Sequence, residues 1–292
     1  MAVPAFSVII PVFNDVRHLG RCLDSLLVQT NTDWEAVCVD DGSTDGTSPL
    51  LDEFARKDSR IKAIHKSNEG VSIARNTAMQ HTSGSHIVYV DSDDFLHPQT
   101  FELCSRIIAD SNPDLIAYTY NRKYRRNLII SQLLHLPDPR PVFTTYNPAS
   151  IDYRLTDNIY EYATEYSRPK VPESQRPWLV KHCQPWRCMY KKEIVEDIRF
   201  VSGIIYEDFP WWGEVLLKVR NAAILNLPLY YYYPNPHSYI MASKKQFKIE
   251  SLKKALAISE SYYESHATPY QREMWHKNFI VPFKEKLAKK QR

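Results

Sequence analysis

In the first hundred residues, each apolar, β-branched run ends in side chains of the kind that hold ligands. Residues 5–12 (Ala-Phe-Ser-Val-Ile-Ile-Pro-Val) end at Pro11, Phe13 and Asn14. Residues 34–39 run into Asp40-Asp41-Gly42-Ser43-Thr44-Asp45-Gly46-Thr47, and residues 86–90 into Asp91-Ser92-Asp93-Asp94. Between the runs the spacing turns helical. Leu19, Cys22, Leu23, Leu26 and Leu27 share one face within residues 15–29, and further helices are expected at about 48–57 and from Asn68-Glu69-Gly70 onward. A short strand is expected at 60–65. Strand and helix in alternation point to an α/β fold with a mainly parallel sheet covered on both faces. Ligands in such sheets sit outside the carboxyl ends of the strands, so one edge collects all of these polar clusters.

Composition narrows the function. A chain of 292 residues, 43% hydrophobic, can bury one large core or two modest ones. Its formal charge of +3 is too small to argue for nucleic acid. The five cysteines (Cys22, Cys38, Cys104, Cys183, Cys188) are scattered, with no C-x-x-C pair, and read as reduced thiols. The N-terminus lacks a charged region followed by a long apolar one, and no apolar run reaches the roughly 20 residues that span a bilayer. A soluble, cytoplasmic protein is expected. Most of the 19 tyrosines and six tryptophans follow residue 115, so that half is the better place to hold a sugar ring.

The acids after residue 90 carry the chemistry. Along an extended chain Asp91 and Asp93 point the same way, and two carboxylates so placed repel unless a positive charge lies between them. A hard divalent cation, Mg²⁺ or Mn²⁺, suits an all-oxygen pair. The plainer alternative is a turn in which Asp94 caps the helix beginning near Pro98. Asp40 and Asp41 can accept hydrogen bonds from a base or ribose, and Arg75 can reach a phosphate. Together these are parts of a nucleoside-diphosphate site. No G-x-G-x-x-G follows the first strand, and no G-x-x-x-x-G-K-[ST] occurs, so neither a dinucleotide Rossmann site nor a P-loop is expected.

Residues 8–14 (Val-Ile-Ile-Pro-Val-Phe-Asn), 39–47, Asn68-Glu69-Gly70 with Ala74-Arg75-Asn76, and Asp91-Ser92-Asp93-Asp94 occur in an order and spacing that resemble family 2 glycosyltransferases. The likeness is to bacterial polysaccharide-type enzymes of the GT-A fold, and it extends over roughly residues 5–240. That fold is a Rossmann-like nucleotide-diphospho-sugar transferase domain with a mixed, mainly parallel sheet flanked by helices. The resemblance implies that Pro11, Phe13, Asp40, Asp41, Arg75, Asp91 and Ser92 hold the donor. It also implies that Asp93, with Asp91, binds the metal. It implies an inverting hexosyl- or N-acetylhexosaminyl-transferase, with UDP as the default nucleotide.

The second half is less regular. A strand is expected at 114–120, leading into a basic loop, Asn121-Arg122-Lys123-Tyr124-Arg125-Arg126, which is either simply solvated or faces a phosphorylated acceptor. Residues 130–180 read as long loops framing a pocket. Residues 184–192 resemble the family's acceptor wall, with Trp186 expected in packing. Residues 204–212 (Ile-Ile-Tyr-Glu-Asp-Phe-Pro-Trp-Trp) place an acidic pair among apolar neighbours. Burial would raise a carboxylate toward a working base, while a helix N-terminus would use the same pair as caps, with Pro210 in the first turn. The resemblance implies Asp208 as general base and Glu207 as its helper.

Relatives in this family often carry an arginine after the aromatic run that here is Tyr230 to Tyr233. Pro234-Asn235-Pro236-His237-Ser238 follows instead, leaving His237 as a further candidate metal or phosphate ligand, although a single loop histidine is more often a bystander. Residues 1–240 are therefore expected to form the transferase domain, with 1–115 as the donor half and 116–240 as the acceptor half, and 241–292 a C-terminal helical extension. In that extension Trp275, Phe279, Ile280, Phe283 and Leu287 mix with lysines. Packing on the domain is favoured over a peripheral contact with the inner face of the membrane, and Pro282 interrupts the pattern. A glycan or lipid-linked saccharide is the expected acceptor. Two alternatives differ in class. A sugar-phosphate nucleotidyltransferase would need a Gly-rich, basic first loop, and an inactive nucleotide-sugar- or glycan-binding module would not need Asp93 and Asp208 together.

Overall fold

A computed structural model of the chain describes residues 3–134, 141–160, 184–235, 240 and 243–291. The first hundred residues are built as the spacing predicts. Strand β1 (Phe6–Val12) pairs in parallel with β2 (Trp34–Asp40) on one side and β4 (His86–Tyr89) on the other, and β3 (Ile61–His65) lies outside β2. Helices α1 (Leu19–Leu27), α2 (Thr47–Lys57) and α3 (Val71–Gln80) make the crossovers. Every residue of β1 and β2 is buried, which is why they read as continuous apolar runs rather than alternating ones. Registration of Val12 with Asp40, and of Asp40 with His65, brings the carboxyl ends of these strands level. The chain therefore leaves each strand at the same edge.

The rest of the sheet is mixed. After β5 (Phe95–Leu96) and α4 (Thr100–Ser111), β6 (Leu115–Tyr120) leads into α5 (Arg122–Leu133). Further on come β7 (Arg154–Thr156), β8 (Cys188–Lys191), the one-turn α6 (Lys192–Val195), α7 (Asp208–Lys218) and β9 (Ala222–Tyr231). Among the described residues the strand order is β3-β2-β1-β4-β8-β6-β9-β5, with β7 on β9. β8 is antiparallel to β4 and β6, β5 and β7 are antiparallel to β9, and the remaining strands run parallel.

Local departures have local causes. α1 starts at Leu19 rather than Asp15, because the Asp15 carbonyl accepts the N–H groups of His18 and Leu19 in a turn. The basic stretch expected as a loop is the start of α5, opened by Asn121, whose side chain accepts the N–H of Tyr124 at 2.9 Å. Trp186 does pack, its ring stacked on Tyr230 at 4.4 Å. Of the expected loops at 130–180, residues 135–140 and 161–180 lie outside the described residues, as does Cys183. The other four cysteines are free and buried.

The C-terminal helices α8 (Lys245–His266), α9 (Pro269–Trp275) and α10 (Val281–Gln291) pack back onto the domain. Trp275, Phe279 and Ile280 are each 1% exposed, and Phe283 and Leu287 rest against the same core. Trp275, Phe279 and Ile280 are thus committed inward, while Phe283 and Leu287 are partly buried. Pro282 is accommodated after a π-helical turn, His276–Ile280, which widens the helix just ahead of it. Among the described residues no helix is long and apolar enough to cross a membrane.

Candidate active site

The loop after β2 is fastened before it can face a ligand. Asp41 is buried and accepts the N–H of Glu69 at 3.0 Å, the N–H of Gly70 at 2.7 Å and the Lys66 ammonium at 2.8 Å. It ties the edge of β2 to the start of α3. Gly42 makes this possible: its φ is +79°, and an added Cβ would lie 2.8 Å from the Asn68 nitrogen. Asp40 is turned away, accepting from Ser43 N–H at 3.1 Å, from the Ser48 hydroxyl and from His65 Nδ1 at 3.0 Å. Burial works against its charge, but those hydrogen bonds win and lower its pKa below the usual carboxylate value.

The loop after β1 is laced to the same edge. Asn14, in the left-handed region at φ 48°, donates its N–H to Ser43 Oγ at 2.8 Å and accepts that of Thr44 at 2.7 Å. Pro11 stays buried within β1, whereas Phe13 is 49% exposed, an aromatic face left open at the sheet edge.

The third and fourth motifs meet. Arg75 reaches out of α3 and is 6% exposed; Nη2 donates to Asp91 Oδ1 at 2.9 Å and Nη1 to Glu207 Oε1 at 2.8 Å. Burial opposes its charge, yet Asp91 and Glu207 raise its pKa further, so the guanidinium is permanently charged. One cation therefore bridges the two acidic stretches singled out in the sequence.

The remaining acids divide between chemistry and construction. Asp93 is pushed up to about 7, first by burial, then by Asp91 and Asp15. Asn235 Nδ2 donates to its Oδ2 at 3.2 Å, and Arg21 Nη2 to its backbone carbonyl at 2.9 Å. Asp94 does not cap the following helix. It is fully buried and accepts the Tyr230 hydroxyl and the Tyr233 N–H, both at 2.6 Å, which fastens the acidic turn to β9. Burial, then Asp93 and Asp91, hold its pKa well above the ordinary value. Ser92 donates to Asp15 Oδ2 at 2.7 Å, and Asp15 also contacts His18 Nδ1, so the loop after β1 closes on the acidic turn. Arg21 lies over the rings of Phe95 and Tyr233 at 5.0 and 4.8 Å. Nothing in the spacing of α1 distinguishes Arg21 from a solvated residue, and Asp15 and His18 carry no motif.

Asp208 opens α7, with Glu207 at the N-cap and Pro210 in the first turn. Its carboxyl is pushed up to about 7 by removal from water and by Glu207, while Arg75 and Lys286 pull the other way. Among the described residues no group of three or more His, Cys, Asp or Glu is gathered to hold a metal, and His237 lies outside those residues.

Acids after β2 and β4 thus share one sheet edge, with a buried arginine between the acids after β4 and the start of α7, and this edge is where ligands bind in open α/β sheets. The model of Glycosyl transferase family 2 matches residues 7–199, more than half of the chain, and the chain belongs to that family. It is an inverting glycosyltransferase that uses a nucleoside-diphosphate sugar. The chain is 27% identical over 272 residues to the uncharacterized glycosyltransferase EpsJ of Bacillus subtilis (strain 168), covering 90% of this chain and 71% of that protein. It is 29% identical over 227 residues to the glycosyltransferase GlyA of Streptococcus pneumoniae serotype 4, covering 77% of this chain but 30% of that protein. Among solved structures, S. aureus TarS 1-349 in complex with UDP-GlcNAc superposes with a TM-score of 0.62 at 17% identity, over 94% of this chain and 79% of that one. The mannosyltransferase PcManGT from Pyrobaculum calidifontis, in complex with GDP-Man and Mn2+, gives 0.55 at 17% identity, over 99% and 79%. These structures share the fold.

Proposed function

We propose that this transferase moves a hexosyl or N-acetylhexosaminyl group from a UDP-sugar to a hydroxyl of a glycan or lipid-linked saccharide, with Asp208 as general base. The observation that carries the reading is the Arg75 bridge. It joins the first acid of the D-x-D stretch to the residue beside Asp208, so donor and base are coupled through one side chain. Phe13 offers its open ring to the nucleotide base, and Pro11 and Asp41 form the wall and floor beneath it. Asp40 and Ser92 support the loops rather than touch the donor. Asp91 faces the ribose.

Asp93 and Asp91 fit a divalent cation. Both offer hard oxygen donors, and Asp93 sits beside carboxylates that raise its pKa, where a cation would relieve the repulsion. When bound, Mn²⁺ or Mg²⁺ supplies Lewis-acid neutralisation of the charge that builds on the diphosphate. The chain's own residues do the rest. Arg75 is a fixed cation near that charge. Asp208 takes the proton of the acceptor hydroxyl as that oxygen attacks the anomeric carbon, and the C–O bond to the nucleoside diphosphate breaks on the opposite face. This single displacement accounts for inversion and requires no carboxylate nucleophile.

A thermal-shift panel of nucleoside diphosphates and their sugars, with and without Mn²⁺, tests the donor side. A ligand that binds the folded state raises the melting temperature, so one nucleotide should give a Mn²⁺-dependent shift that Asp93→Ala removes. Asp208→Asn should keep that shift and lose turnover. A flat panel with folded protein overturns the reading.

A further inference from the structure

The family match ends at residue 199, before Glu207 and Asp208; Arg75 reaches the pair from within the matched region, and further neighbours come from the C-terminal helices. Tyr206, immediately ahead of the pair, has a φ of 71°. For a bulky residue this left-handed conformation is strained and persists only where neighbours fix it. The C-terminal helices supply neighbours on either side of the pair. Phe283 stacks on Phe209 with ring centroids 4.1 Å apart, and Trp275 stacks on the same ring at 5.2 Å. One turn along α10, the Lys286 ammonium lies 4.6 Å from the centroid of the Tyr206 ring and 5.1 Å from that of Phe283.

We propose that Lys286 is a positioning residue of the active site, its ammonium bracing the Tyr206 turn and setting a positive charge beside Asp208. The proposal rests on the reading of Asp208 as the base. The titratable and charged groups that bear most on Asp208 are Glu207 at the N-cap of its own helix, the Tyr206 phenol just ahead of it, Arg75 from α3 with Asp91 as that arginine's second partner, and Lys286 from α10. Arg75 and Lys286 both favour the ionised carboxylate against burial and Glu207. Arg75 is held by two carboxylates in the sheet domain, while Lys286 brings its charge from the C-terminal extension. The extension is thereby part of the catalytic apparatus and not an appended support.

A double-mutant cycle in the full chain tests this without a substrate. Melting temperatures of the parent, Lys286→Met, Asp208→Asn and the double variant are compared at pH 8.5 and pH 5.5, without metal. At pH 8.5 Lys286→Met should lower the melting temperature by about 2 °C more in the parent than in the Asp208→Asn background. At pH 5.5, where Asp208 is protonated, the difference should vanish, and Lys286→Arg should behave as the parent at both. Equal effects in both backgrounds at pH 8.5 would mean packing alone and overturn the proposal. In a UDP-release assay on the donor found by thermal shift, Lys286→Met should move the acid limb of the rate profile up by about half a pH unit. An unmoved limb also overturns it. Retained turnover in Asp208→Asn would instead remove the base assignment, a different failure that leaves the cycle readable.

Discussion

Arg75 and Glu207 are 132 residues apart in sequence, and their side chains are joined at 2.8 Å. The other arm of the same guanidinium holds Asp91, so a single buried cation ties the sheet edge after β4 to the first turn of α7. Removing it exposes each carboxylate to an environment arranged for a partner. Arg75→Ala should lower stability by about 3 kcal/mol in urea unfolding, because breaking a buried pair leaves its other half uncompensated. Arg75→Lys cannot span both acids with one planar fork, and should recover less than half of that loss while leaving turnover at least tenfold down.

The pH dependence of turnover should report Asp208. Its carboxyl is pushed up to about 7, and a general base works only when deprotonated. The rate at low acceptor concentration should therefore rise about tenfold per pH unit below this value and level off above it. A profile that is flat between pH 5.5 and 8 would exclude Asp208 as the base.

Asp93 should trade stability against metal use. Its folded pKa, about 7, lies above the ordinary value of 3.8. Stability is thus fully present below that ordinary value and is lost as pH rises through about 7. Without metal, Asp93→Asn should melt about 2–4 °C above the parent at pH 8 and within a degree of it at pH 5. With Mn²⁺ and nucleotide the order should reverse, since only the parent gains from the ligand.

Tyr230 links two acids that differ in task. Its hydroxyl donates to the buried Asp94 and accepts the backbone N–H of Asp91 at 3.2 Å. Tyr230→Phe should destabilise the fold by about 1–3 kcal/mol, the cost of a buried polar group left unpaired. Nucleotide affinity, followed by calorimetry, should fall as well, because the Asp91 turn loses its anchor.

How much of this could be read in advance follows from the range of the interactions. Strands β1 and β2 are buried throughout because both faces are covered, so Phe6–Val12 and Trp34–Asp40 announce themselves, and the acids that follow them mark the edge. The pair at 207–208 was legible because two carboxylates amid tryptophans are costly to bury. Arg21, Asp15 and Asn235 were not. Each acts on the Asp91–Asp94 turn across a long stretch of chain, and no local period records such a meeting. The plainer alternative, Asp94 as a helix cap, fails for the same reason: its partners, Tyr230 on the last strand and Tyr233 just beyond it, come from far along the chain. Tertiary packing also decided the C-terminus, where an amphipathic pattern suits a lipid surface and a protein surface equally well.

The Arg75 bridge also bears on how the chain reaches its folded form during synthesis. Residues up to Leu96 contain the parallel strands β1 to β4, yet Glu207 is translated 132 residues after Arg75. At ribosomal speeds that interval is roughly 7–26 s, long compared with the formation of helices and hairpins. Through it, a guanidinium destined for burial has Asp91 as a partner and no Glu207. This N-terminal part of the sheet should therefore linger in an open, chaperone-accessible form on the ribosome, and settle only when the start of α7 emerges.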